Sequence, residues 1–275
     1  MSIITISRGT FSGGEALAER VAERLGYQCL SREMTLEAAA KEYGVPGAEL
    51  TAAMDQRPSF WHRTVGQSSA HLTFVRATLC EQAQGGKVVY HGHLGHLLLP
   101  GISHVIAVRV IADLEFRLTA AQQKQNLARD DALAYLKKVD EQRQIWTRFL
   151  FKVDWDDPYL YDLVLKLSRM SLETACEMVV QLTEREDFKP TAASLKAMQD
   201  LTLQSRVSAA LIKNFRTREG DLKVAADDGI VTVTGAAPPG VAEAVPSVVN
   251  QFPGVKAVHL TVKEVSALRT DHTID

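Results

Sequence analysis

The residues of this chain whose types and spacing could do chemistry begin at its start. They form the stretch Ser7-Arg8-Gly9-Thr10-Phe11-Ser12-Gly13-Gly14-Glu15, which lies between an apolar run from Ile3 and a helix-periodic segment over residues 16–25. A strand, a glycine turn and a helix in that order aim backbone N–H groups and the positive end of a helix dipole at one point, where a phosphate can sit. Gly9 and Gly14 stand at the two glycine positions of the spacing G-x-x-x-x-G-K-[ST], but Glu15 holds the lysine position and Ala16 the metal-hydroxyl position. The layout of a phosphate loop is kept while its charge is reversed.

A carboxylate about 4 Å from a phosphate charge costs on the order of 1 kcal/mol in water and about 4 at an effective dielectric near 20, so binding here requires compensating cations. Glu15 also admits a structural reading. Ser12-Gly13-Gly14-Glu15 has the S-x-x-E spacing of a capping box, in which serine and glutamate satisfy the first N–H groups of the helix and leave less for an anion. Arg8, Arg109, Arg117, Arg129 and Arg143 are the candidates for phosphate contact, because a guanidinium fork matches phosphate oxygens; otherwise each is a solvated charge. Asp140 and Arg143 are spaced to pair along one helix face instead. His91, His93 and His96 raise a metal reading, but no carboxylate or cysteine completes a familiar spacing, so no metal ligands are assigned. Trp146, Phe149, Phe151 and Trp155 read as core packing ahead of base stacking. Asp156 and Asp157 could reach a magnesium ion, yet Asp157-Pro158 is also an ordinary turn opener.

The elements that must position these groups alternate. Strand-like runs at residues 3–6, 27–30, 87–91, 104–111 and 162–167 are separated by helix-prone segments at 16–25, 35–43, 48–54, 66–84, 112–123 and 131–151, with a further helix opened by Ser171 as N-cap. That alternation predicts an α/β domain with a parallel sheet covered on both faces. Residues 57–63 read as a loop carrying Arg57 and Arg63, and residues 124–130 as a polar, mobile segment. The first domain closes near residue 185, and a charged stretch with Pro190 gives a linker over 186–198. Beyond it come a helix over 195–215, two β-type runs joined by Asp227-Asp228-Gly229, a helix over 241–251 despite Pro246, and a strand over 255–262. This second, smaller α+β domain occupies 199–265, followed by a tail over 266–275.

With 275 residues, a net charge of −2, 46% hydrophobic and 23% charged residues, the chain has the composition of an ordinary globular protein. That balance gives no global attraction to nucleic acid or anionic membranes. No apolar run reaches the length of a transmembrane helix and no signal segment precedes the first strand, so a cytoplasmic location is expected. Cys29, Cys80 and Cys176 are odd in number and far apart, and read as reduced, buried small hydrophobes.

The first domain resembles the cytidylate kinase-like family of P-loop nucleoside monophosphate kinases. The matching pieces are Ile4-Thr5-Ile6-Ser7-Arg8 with Ser12-Gly13-Gly14, Tyr90-His91-Gly92-His93, Val108-Arg109-Val110-Ile111-Ala112 leading to Phe116-Arg117, Lys138-Val139-Asp140-Glu141-Gln142-Arg143, and Trp155-Asp156-Asp157-Pro158 with Tyr161-Asp162-Leu163-Val164. The resemblance implies a five-stranded parallel sheet, a monophosphate-binding region near residues 31–68, a lid near 124–129, and transfer of the γ-phosphoryl of ATP, with magnesium, to a monophosphate such as CMP. It implies Arg117, Arg129 and Arg143 as catalytic residues, with Arg117 and Arg129 foremost because they flank the lid. Arg8, Gly9, Ser12, Gly13, Gly14 and Glu15 would hold the ATP phosphates, and Arg32, His93 and Arg109 the monophosphate. The chain departs from the family pattern at Phe11, where a glycine is usual, at Glu15, where a cation is usual, and at His93, where an arginine is usual. Residues 199–264 resemble the BON domain, a small module often associated with phospholipid or other ligands; its ligand here is not specified by the residues. Nucleotides are the expected partners of the first domain, and self-association is possible. The alternative implied by Glu15, Ala16 and His93 is a non-catalytic nucleotide sensor or scaffold that acts through its BON domain.

Overall fold

A computed structural model describes residues 1–55 and 65–265. The expected loop at 57–63 and the tail at 266–275 lie outside the described residues. In chain order the first part contains β1 (Ile3–Arg8), α1 (Gly14–Leu25), β2 (Gln28–Ser31), α2 (Arg32–Tyr43), α3 (Gly47–Asp55), α4 (Val65–Ala83), β3 (Val88–Gly92), α5 (Gly95–Leu98), β4 (Val105–Ile111), α6 (Leu114–Gln125), α7 (Arg129–Phe151), β5 (Leu163–Lys166) and α8 (Leu172–Thr183).

The five strands form one sheet in the order β2-β3-β1-β4-β5, and every pair is parallel. The run Ile3-Ile4-Thr5-Ile6-Ser7 is buried throughout, as a central strand covered on both faces must be. On one face Ile4, Ile6, Val89, Ile106, Val108 and Val110 pack against Leu17, Ala18 and Val21 of α1 and Ala175, Cys176 and Val179 of α8. Chain connections leave β1 towards β2 on one side and cross to β4 on the other. The carboxyl end of β1 is therefore the switch point at which α/β sheets open a crevice for ligands.

Local signals set the helix ends. Gly26 closes α1 in the left-handed conformation with its N–H on the Ala22 and Glu23 carbonyls, and the Ser31 and Ser171 side chains cap α2 and α8. One expectation is corrected. Residues 124–129 are not a free segment: α6 runs to Gln125, Asn126 turns the corner at φ 53°, and α7 starts at Arg129. Leu127 packs onto a small core of Leu118, Ala121, Ala132 and Leu136, which is why a polar composition there gives a fixed corner. α9 (Ala192–Lys213) begins within residues 186–198, with Thr191 and Ser194 exchanging hydrogen bonds at its first turn.

The chain divides into two compact units, residues 1–198 and 199–275. Alongside its share of α9, the second unit contains β6 (Asp221–Asp227), β7 (Ile230–Ala237), α10 (Val241–Val249) and β8 (Ala257–Glu264). β6 and β7 pair antiparallel through Asp228 and Gly229, at φ 47° and 79°, and β8 joins β7 in parallel. Positive φ at both central residues is the turn that Asp-Gly favours. Val207, Leu211, Val231, Val233, Val245, Val248 and Val249 form its core. Among the described residues no helix is long and apolar enough to cross a membrane. Cys80 and Cys176 are buried, Cys29 is half-buried, and all three are free.

Candidate active site

The loop that leaves β1 is built from two tight elements. Ser12 N–H donates to the Gly9 carbonyl at 3.1 Å, closing a turn whose third residue, Phe11, sits at φ 59°. That position is one where a positive φ calls for glycine, and Phe11 is held there by its ring, 6.2 Å from that of Tyr135 and packed on the α6–α7 core. Gly13 follows at φ 86° as the N-cap of α1. A Cβ on Gly14 would lie 2.6 Å from the Arg8 Cβ, so that position admits no side chain without a shift of the loop.

This geometry removes the capping box. Because the helix starts at Gly14 with Gly13 as N-cap, Ser12 lies one residue outside the cap and Glu15 one residue short of the reciprocal position; no side chain caps α1. The N–H groups of Gly14, Glu15 and Ala16 have no acceptor within the helix, and they face a cavity of about 570 Å³. Ser12 Oγ and Thr10 Oγ1 are buried without a hydrogen-bond partner, and both residues line that cavity. An uncapped helix end with two unsatisfied hydroxyls is a cradle for phosphate oxygens or a phosphate-bound cation.

Cations surround the cradle. Arg8, Arg32 and Arg143 line the cavity, and so does Lys124 from the last turn of α6. Arg8 Nε donates to Nδ1 of His91 at 3.3 Å, so His91 offers a lone pair there. Burial, with Arg8 beside it, keeps His91 below the ordinary imidazole range. Arg143 Nη1 reaches the Arg8 carbonyl at 3.3 Å, tying α7 to the loop. Lys124 Nζ lies 3.2 Å from Glu15 Oε2, and this bond holds the Glu15 carboxyl below its usual range. The reversed charge on the loop therefore has an ammonium partner delivered from another helix.

A second cavity of about 400 Å³ lies on the other side of Gly9 and Ser12 and is lined by Arg109, Arg117, Asp140 and Trp155. Arg117 grips Asp140 through both terminal nitrogens, at 2.8 and 2.9 Å, and donates Nε to the Thr10 carbonyl at 2.8 Å. Asp140 thus pairs with Arg117, on the neighbouring helix. Arg109 is buried over the Trp155 ring at 4.0 Å and pairs with Asp156 at 2.5 Å.

Of the residues singled out in sequence, the first cavity brings together Arg8, Gly9, Ser12, Gly13, Gly14, Glu15, Arg32 and Arg143, while Arg109 and Arg117 line the second. Two lie in neither. Arg129 forms an exposed pair with Glu115 across the helical hairpin, which keeps the Glu115 carboxyl low. His93 is enclosed at 2% exposure between Trp146 and Trp155, with Nε2 at 2.9 Å from Thr147 Oγ1. Since Thr147 gives its own proton to the Arg143 carbonyl, His93 Nε2 is the donor in that bond. Burial and the neighbouring Arg143 keep His93 neutral, well below its usual pKa. Among the described residues no group of three or more His, Cys, Asp or Glu side chains converges for a metal ion. Sequence reading gave Lys124 no role beyond the lid: its partner is 109 residues away, and no local spacing links them.

Residues 3–169 match the cytidylate kinase-like family. Several relatives are named cytidylate kinase, two of them as follows. One, from Ignicoccus hospitalis, is 26% identical over 182 residues, spanning 66% of this chain and 99% of its own length. The other, from Methanocaldococcus jannaschii, is 25% identical over 179 residues, 64% of this chain and 94% of its own. A solved structure of an uncharacterised protein from Eubacterium ventriosum, 19% identical, superposes with a TM-score of 0.54 over 68% of this chain and all of its own, a likeness of fold. With the loop, the parallel sheet and a family match across most of the first unit, the chain belongs to the cytidylate kinase-like family.

Proposed function

We propose that the first unit is a nucleotide kinase that seats the phosphates of ATP on the loop of residues 8–16 and passes the γ-phosphoryl group to a nucleoside monophosphate of the CMP type. The observation that supports it most is the uncapped start of α1, where Ser12 Oγ is buried without a partner among Arg8, Arg32, Arg143 and Lys124. Phosphoryl transfer depends on positioning and on cations that neutralise developing charge, and this chain brings both to one place. Magnesium, when bound with ATP, supplies further neutralisation; Ala16 offers it no oxygen, so the Thr10 and Ser12 hydroxyls are what the loop contributes. Arg117 acts as a brace that fixes the Thr10 carbonyl. Arg32, at the head of α2 and lining the first cavity, is the candidate for contact with the monophosphate.

Calorimetric titration of ATP with magnesium, and of CMP, followed by a coupled assay for ADP, tests the reading. Saturable binding of both with CMP-dependent ADP release is expected, and absence of binding at millimolar nucleotide would sink it. A second reading is favoured by Glu15 and Ala16 in the lysine and hydroxyl positions: a nucleotide binder without transfer. Binding with no ADP release would select it. For the second unit we propose a ligand-binding module of the BON type, supported by its Asp-Gly hairpin and its own valine-rich core.

A further inference from the structure

The side of the first cavity nearest α6 holds the residue that the loop is missing. Glu15 occupies the second position of α1, beside the N–H groups that have no helical acceptor, and Lys124 Nζ stands 3.2 Å from its carboxylate. Both side chains line the cavity that also receives the buried, unpartnered Ser12 Oγ. Neighbouring cations have other duties: Arg8 is oriented by His91, Arg117 is gripped by Asp140, and Arg143 bonds the Arg8 carbonyl.

We propose that Lys124 is the phosphate-facing ammonium of this site, carried on the last turn of α6 in place of the loop lysine, with Glu15 as the carboxylate that keeps it at the cavity mouth. The inference rests on the phosphate-site reading above and adds to it the residue that makes the reversed charge workable. The lysine and the glutamate side chains are 62% and 47% exposed, and an ion pair so open to water is weak. A polyphosphate bearing several charges and flanked by N–H donors outcompetes a single solvated carboxylate for that ammonium. The lysine stem is long and flexible enough to turn from one acceptor to the other without movement of α6. Glu15 thus holds the cation in place while the site is empty, and in an occupied site it lies behind the same ammonium.

The test measures binding of magnesium-ATP and of inorganic tripolyphosphate, which carries the charge without the base, to four forms of the full chain. Wild-type binding reads the phosphate site itself; its absence overturns both that reading and this inference. If wild type binds, Lys124→Met weakens both ligands by about tenfold or more, the size of one charge-assisted hydrogen bond. The double variant Glu15→Gln/Lys124→Met separates direct contact from mere neutralisation of Glu15. It stays weak if the ammonium touches phosphate, and recovery to wild-type affinity overturns the inference. Glu15→Lys/Lys124→Met moves the lysine back onto the loop and restores binding to within about threefold. An unchanged Kd for Lys124→Met overturns the inference while leaving the phosphate site standing. Both residues are well exposed, and matching thermal melts verify that the variants are folded.

Discussion

Two glycines of one motif do different work. Gly14 is pressed against the Arg8 side chain, and an added Cβ would come within 2.6 Å of carbon; at Gly9 the nearest atom would be 3.7 Å away. Gly14→Ala therefore forces the loop off the helix end, with an expected loss of about 1–3 kcal/mol and of phosphate affinity, whereas Gly9→Ala leaves the melting temperature close to wild type. Thermal unfolding of the two variants side by side reads the difference, and equal effects would contradict the crowding argument. The glycine spacing was legible in sequence because it is local. The capping of α1 was not, since a start shifted by one residue turns the expected serine-glutamate box into a bare glycine cap. Phe11, in a conformation that favours glycine, is tolerated because the ring of Tyr135, on α7, holds it.

At the scale of elements, α6 and α7 form a helical hairpin, and Arg117 is the joint that locks it to the loop. Its guanidinium is 14% exposed and spans Asp140 of α7 and the Thr10 carbonyl, so three pieces of chain meet in one fork. Removing it leaves Asp140 half-buried without its partner, and Arg117→Ala should cost about 2–4 kcal/mol. Arg117→Lys keeps the charge but loses the two-pronged geometry and should recover less than half of that cost. Denaturant midpoints check both values; a full rescue by lysine would show that charge alone suffices. The strands were readable because buried parallel strands write continuous apolar runs, as in Val105–Ile111. The corner at Asn126 was misread as mobile because its composition is polar and the anchoring contact of Leu127 is made with residues of both flanking helices.

For the molecule as a whole, the histidines set a pH response. Burial holds His96 at about 4, with Arg109 adding to the effect, and burial also lowers His91 and His93. These folded-state values lie below those of the unfolded chain, so the unfolded state takes up protons first as pH falls. Stability is highest above about pH 6.5, declines from there towards pH 4, and for His96 the full loss is about 3 kcal/mol. Paired carboxylates such as Glu15 and Glu173 lose their contributions lower still, in the same direction. Comparison with His96→Asn isolates the histidine: the variant should gain on wild type by up to about 3 kcal/mol between pH 6.5 and 4, and a gap that stays constant with pH would refute the assignment.

The central place of β1 also bears on the order of synthesis. The loop is made before the segments that complete it: Ile3 pairs with Val88 and Val105, and the Arg8 carbonyl awaits Arg143, 135 residues later. An apolar strand that leaves the ribosome ahead of its partner strands has no neighbours until they follow, and a long wait of this kind slows folding and exposes a sticky edge. The site is thus begun in one segment of the chain and completed by segments more than a hundred residues further on.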